Sequence, residues 1–111
     1  MREIKFRAWD SNERDSYRMK YNLSLNSAYF RQETLKGIEV MQFTGLLDKN
    51  GKEIYEGDIV HVWEHNVDDK GVIRYDESHT AFVTGKYGCT VGEFQNIEIL
   101  GNIYENPDLI N

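Results

Sequence analysis

The feature that most constrains the fold of this chain is an alternation of apolar and polar residues with a period of two. The alternation is clearest over residues 17–25 and recurs over residues 4–9. Successive side chains of a β-strand point to opposite faces, so this period predicts strands with one buried face. Over residues 97–104 both alternating sets are apolar, which predicts a strand covered on both faces.

Turn signals separate these strands and several shorter apolar runs. The segment Asp48-Lys49-Asn50-Gly51 predicts a hairpin turn, because Asn-Gly tolerates the positive φ angles that tight turns require. The stretch from Ser27 to Lys36 is compatible with a helix, a strand or a loop. Together these patterns predict a mainly β fold, a small barrel or roll of short strands with at most one or two short helices.

Length, charge and aromatic content narrow the class of protein. The chain has 111 residues and a net charge of −6, and 13% of its residues are aromatic. That length predicts one domain over residues 1–111, and the aromatic content excludes a disordered or collagen-like chain. Apolar runs fall short of the roughly 20 residues of a membrane helix, so no membrane association is expected. Negative charge opposes contacts with phosphates, so no nucleic-acid partner is expected either.

The number of cysteines indicates the cellular compartment in which the protein resides. Cys89 is the single cysteine in the sequence, so neither an intrachain disulfide nor a paired-cysteine zinc site can form. A secreted domain of this size usually carries disulfides. We therefore expect a cytoplasmic protein in which Cys89 is an ordinary small residue in a reducing environment.

One motif raises the question of hydrolytic chemistry. His61, Glu64 and His65 match the H-x-x-E-H pattern, which binds zinc only when both histidines share one face of a helix. The β-branched and aromatic neighbours favour a strand, in which positions four apart lie about 13 Å from each other. We therefore expect no metal, no cofactor and no catalytic residues, and the metal-dependent hydrolase is kept as a second alternative.

Three segments are familiar when taken together: residues 4–10, 41–60 and 99–110. They resemble the YopX family of phage and prophage proteins. The resemblance implies an origin in a bacteriophage genome or prophage, a small SH3-like β-barrel and assembly into multi-chain complexes. It brings no catalytic residues. The central segment combines a hairpin turn, a break at Gly57-Asp58 and an apolar strand, so we interpret it as a folding signature.

The leading hypothesis is a non-enzymatic phage accessory protein that binds a host or phage protein or assembles as a homo-oligomer. Aromatic residues are enriched at interfaces. The face of the late strand that carries Leu100 and Tyr104 would be exposed to water in a lone open sheet, which favours its burial against another chain. The candidate partner surface consists of Trp9, Tyr55, Trp63, Leu100 and Tyr104. The alternative is an acidic inhibitor that mimics DNA on a host nucleic-acid-binding enzyme, which the net charge of −6 permits.

Overall fold

A computed structural model of the chain describes residues 4–14, 18–23, 37–64, 66–78, 80–85 and 88–110. Within these ranges the chain forms ten strands and two short 3-10 helices, Val91–Glu93 and Pro107–Ile110. The strands are β1 (Phe6–Asp10), β2 (Met19–Leu23), β3 (Ile38–Leu47), β4 (Glu53–Tyr55), β5 (Asp58–Glu64), β6 (Val67–Val72), β7 (Arg74–Asp76), β8 (Ala81–Thr84), β9 (Cys89–Thr90) and β10 (Ile97–Asn102). The prediction of a mainly β fold is confirmed.

The described strands form small sheets that do not close into a barrel. The SH3-like barrel implied by the family resemblance is therefore not confirmed. No helix among the described residues is long and apolar enough to cross a membrane. The segment from Ser27 to Lys36, for which the sequence leaves helix, strand and loop open, lies outside the described residues.

Two compact units divide the chain, Met1–Phe43 and Thr44–Asn111. In the first unit, β1 is the central strand and pairs antiparallel with β2 and with the beginning of β3. Ala8 in β1 is fully buried, as expected for a strand with neighbours on both sides. The strand predicted over residues 17–25 is confirmed over β2, and the flanking positions 17, 24 and 25 lie outside the described residues. The single domain over residues 1–111 stays a prediction.

The second unit contains two three-stranded sheets, in the orders β10-β5-β6 and β7-β8-β9, and the hairpin of β3 with β4. The central strand β5 is buried on both faces over its first three residues, and from His61 onward one of its faces is only half-buried. Its side chains meet those of the other sheet in one hydrophobic core. The buried members of this core are Ile54, Val60, Val62, Ile73, Phe82, Val91 and Ile97.

The late strand departs from the alternation that its sequence shows. Ile99 pairs with Val60 and Gly101 pairs with Ile59, so Leu100 is an extra residue in a β-bulge. A bulge breaks the period of two, because the extra residue has no partner across the ladder. The strand also ends at Asn102, whereas the sequence predicted a strand as far as Tyr104. That part of the prediction was wrong because the chain turns sharply after Asn102.

Two buried threonines give a matched test of what a satisfied hydroxyl contributes to this core. Thr44 Oγ1 donates to the carbonyl of Ile54 at 2.8 Å and accepts the Leu46 N–H at 3.1 Å. Thr84 Oγ1 is equally buried and has no hydrogen-bond partner among the described residues.

Replacement by valine keeps the shape of threonine and removes the hydroxyl. We expect Thr44→Val to lower the free energy of unfolding by about 1–3 kcal/mol, because it removes both hydrogen bonds of the Thr44 hydroxyl. We expect Thr84→Val to leave stability unchanged or to raise it by about 1 kcal/mol. Urea denaturation of both variants measures the difference. Equal losses of unfolding free energy in the two variants would contradict the conclusion that, of these two hydroxyls, only that of Thr44 is hydrogen-bonded to a described residue.

Candidate functional site

Asp48 organises the hairpin between β3 and β4. Its Oδ1 atom accepts the backbone N–H groups of Asn50 at 2.8 Å and Lys52 at 2.9 Å. Its Oδ2 atom accepts the N–H of Ile99 at 3.0 Å, which ties the hairpin to β10. Burial raises the pKa of this carboxyl, but the hydrogen bonds from Ile99, Lys52 and Asn50 outweigh it and hold the pKa below its ordinary value of 3.8. Asp48 is therefore a charged structural clamp.

Asp58 and Asn102 play the same structural part in two other turns. Asp58 Oδ2 accepts the Tyr55 N–H at 2.8 Å and closes the turn between β4 and β5. Asn102 Oδ1 accepts the N–H groups of Tyr104 at 3.0 Å and Glu105 at 2.9 Å, which bends the chain at the end of β10. These contacts give a structural role to three polar residues of segments 41–60 and 99–110: Asp48, Asp58 and Asn102. The contacts of Asp48 and Asp58 support the interpretation of the central segment as a folding signature.

The motif proposed for a hydrolase lies on strand β5, as its flanking residues predicted. His61 and Glu64 are three positions apart, so they point to opposite faces of the strand. Glu64 accepts the Gln95 N–H at 2.8 Å, and His61 Nε2 lies 2.7 Å from Asp68 Oδ1. His65 lies outside the described residues. The described residues contain no group of three His, Cys, Asp or Glu that could hold a metal ion.

Trp63 is the centre of a cluster of aromatic and charged side chains on one face of β5 and β10. The ring of His61 stacks on its indole with 4.8 Å between centroids. Lys49 Nζ lies 4.7 Å from the centroid of the indole and 3.8 Å from Glu98 Oε1. A cation over an exposed indole contributes about 0.5–1 kcal/mol. We call Lys49, His61, Trp63, Asp68 and Glu98 the Trp63 cluster; its half-buried ring and mixed charges suit a protein contact.

Leu100 projects from the bulge of β10 and is 41% exposed. Leu47, which is 57% exposed, immediately precedes Asp48. Because Asp48 binds the N–H of Ile99, Leu47 and Leu100 flank one contact between the hairpin and β10. Sequence reasoning missed Leu47. The signal was the pair Leu46-Leu47, since two adjacent leucines in a strand cannot both face the core, and Leu46 packs against it.

The other three residues of the predicted partner surface occupy different environments. Tyr55 is only 1% exposed, so its inclusion in an accessible partner surface is corrected. Tyr104 is half-buried in the turn that Asn102 shapes. Trp9 belongs to the first unit, where the guanidinium of Arg18 lies 5.9 Å from its ring centroid. The accessible part of the predicted surface in the second unit is therefore Trp63, Leu100 and Tyr104.

Comparisons with known proteins identify a family and a similar solved structure. A family model described as YopX protein matches residues 5–111. No curated protein matches the chain. A crystal structure of protein EF1440 from Enterococcus faecalis is similar over 100% of both chains, with 22% sequence identity and a TM-score of 0.62. At that identity the likeness shows the fold alone. Because the family match spans nearly the whole sequence, this chain belongs to the YopX protein family.

Proposed function

We propose that this protein is a non-enzymatic phage or prophage accessory protein that assembles with copies of itself or binds another protein. The single observation that carries the proposal is the exposure of Leu100 at the bulge of β10. Burying a leucine side chain contributes about 1.5–3 kcal/mol relative to leaving it in water. Leu47 is also exposed, and it directly precedes Asp48, which binds the N–H of Ile99.

The surroundings of this leucine pair have the composition of an interface rim. Lys49 and Glu98 each lie two residues from one of the leucines and form an ion pair at 3.8 Å. Trp63 packs under Lys49 in the same cluster. Interfaces combine an apolar, aromatic-rich centre with a polar edge, and Leu100 and the Trp63 cluster supply residues of both kinds.

The two alternatives have less support from the geometry. A DNA mimic needs carboxylates that are free to face a basic groove, yet Asp48 and Asp58 bind backbone N–H groups inside the fold. A hydrolase needs His61 and Glu64 to act together, yet Glu64 binds the loop at Gln95.

Light scattering on variants tests the proposal. We expect the wild-type protein to be an oligomer at tens of micromolar and Leu100→Asp to be a folded monomer, because a charge at the contact cannot be buried unpaired. The matched control is Ile110→Asp, which places the same charge on a residue that is 44% exposed in the terminal 3-10 helix. Ile110→Asp should have the same oligomeric mass by light scattering as the wild type.

Other outcomes separate the two forms of the proposal. A wild-type monomer would contradict self-assembly. The protein-binding form then requires that Leu100→Asp, and not Ile110→Asp, lose proteins captured from host lysate. Identical captured proteins for both variants and the wild type would contradict a contact at Leu100. Unfolding of Leu100→Asp, measured by circular dichroism, would assign the side chain to the core instead.

A further inference from the structure

We propose that Asn50 is a site of spontaneous deamidation and that Asp48 slows this modification by holding the turn closed. Asn50 is exposed at the tip of the hairpin between β3 and β4. It is also the single asparagine in the sequence that a glycine follows. A Cβ atom built on Gly51 would meet nothing within 4 Å, so neighbouring groups do not obstruct this side of the turn.

The chemistry is an intramolecular substitution that needs only water. The backbone nitrogen of Gly51 attacks Cγ of Asn50, forming the N–Cγ bond, and the Cγ–Nδ2 bond breaks. The amide proton of Gly51 is lost to solvent, and ammonia leaves with a proton taken from solvent. Water then opens the five-membered imide at either carbonyl and leaves aspartate or isoaspartate at position 50. No atom changes its oxidation state in the sequence of steps.

The hydrogen bonds of Asp48 oppose the first step. The attacking nitrogen of Gly51 donates its N–H to the Asp48 carbonyl at 3.0 Å. The Asn50 N–H is held by Asp48 Oδ1 at 2.8 Å, which fixes the peptide on the other side of the reacting residue. To attack Cγ, the Gly51 nitrogen has to lose its proton, and the hydrogen bond to the Asp48 carbonyl is broken with it. The reaction therefore proceeds from an opened turn.

The product would damage the contacts around the turn. Asn50 Nδ2 lies 3.5 Å from Glu98 Oε2, so a carboxylate at this position replaces a weak hydrogen bond with repulsion. Isoaspartate also adds a methylene to the main chain inside the loop that Asp48 closes. The same loop holds β10 through the Lys49 N–H, which donates to the Ile97 carbonyl at 2.9 Å. Deamidation at Asn50 thus loosens the hairpin from β10.

Peptide mapping by mass spectrometry tests the proposal on the full chain in mildly alkaline buffer. We expect the wild type to accumulate aspartate and isoaspartate at position 50 before any other asparagine changes. With both chains denatured in urea, Gly51→Ala should react about tenfold or more slowly than the wild type, because alanine has a Cβ and less backbone freedom than glycine. The denatured chains are compared because the φ of +82° at position 51 would strain an alanine in the folded turn. The Asn50→Asp variant supplies the reference spectrum for the unrearranged product. Earlier deamidation of any other asparagine would contradict the assignment of Asn50 as the preferred site.

The part played by Asp48 is tested by comparing folded and denatured protein. The folded wild type should react at least about tenfold more slowly than the same chain in urea, since the closed turn has to open first. Asp48→Ala should react faster than the wild type when folded and equally fast in urea. Equal rates for folded and denatured wild type would overturn the protective role of Asp48, even if Asp48→Ala fails to fold.

Discussion

Gly71→Ala is expected to lower the free energy of unfolding by about 3 kcal/mol. A Cβ at this position in β6 would lie 2.5 Å from the backbone nitrogen of Gly85 and 2.7 Å from its Cα. It would also lie 2.9 Å from Thr84 Oγ1. Because the closest atoms are main-chain atoms, no rotation of a side chain relieves the overlap. Strand β6 and the end of β8 have to separate, and the core between their sheets loosens.

The matched control is Gly92→Ala in the 3-10 helix at Val91–Glu93. Its Cβ would meet Leu46 Cδ1 at 3.8 Å, an ordinary van der Waals contact. We expect stability within about 0.5 kcal/mol of the wild type or slightly higher, because alanine restricts the unfolded chain. Urea denaturation followed by tryptophan fluorescence measures both variants. Equal denaturation midpoints for the two would show that β6 does not approach Gly85 this closely.

Asp48→Asn is expected to lower the free energy of unfolding by about 2–3 kcal/mol at neutral pH. The carboxylate accepts three backbone N–H groups, from Asn50, Lys52 and Ile99. Asparagine has one side-chain oxygen, so its NH2 group would face the N–H of Ile99 or those of the turn. One donor then loses its acceptor if the NH2 group faces Ile99, and two lose it if the NH2 group faces the turn; in both cases the charge that strengthens all three hydrogen bonds is lost.

The loss caused by Asp48→Asn should depend on pH in a direction set by the lowered pKa of Asp48. A carboxyl whose pKa is lower in the folded than in the unfolded state stabilises the fold above its unfolded pKa, about 3.9. That contribution is lost as the pH falls through the folded pKa. The difference in stability between wild type and variant should therefore shrink on acidification below about pH 4.

Urea titrations over a series of acidic pH values measure this difference. Asp108→Asn is the matched control, because Asp108 is exposed in the terminal 3-10 helix. The control should have nearly the wild-type stability at neutral pH. A gap between wild type and Asp48→Asn that stays constant down to the lowest pH would show that the charge of Asp48 contributes nothing.

Sequence pattern predicted strands and turns correctly where their physical cause lies within a few residues of the chain. The period of two identified the strands around Ala8 and Ile97, because a strand exposes alternate residues to opposite faces whatever its partner. The turn at Gly51 was also predictable, since its φ of +82° is one that glycine adopts without strain. The positive φ falls on Gly51 rather than on Asn50. The candidate surface was only partly predictable: Trp63 and Leu100 are accessible, Leu47 was missed and Tyr55 is buried.

The sequence by itself thus determined the mainly β class, the main turns and the family to which the chain belongs, because each is carried by short segments. The tertiary structure alone decided which strands pair and which side chains stay in water. Asp48 binds an N–H group 51 positions away at Ile99, and the bulge at Leu100 follows from the register of β10 against β5. Neither is encoded in a local period, because both depend on contacts between strands far apart in the chain.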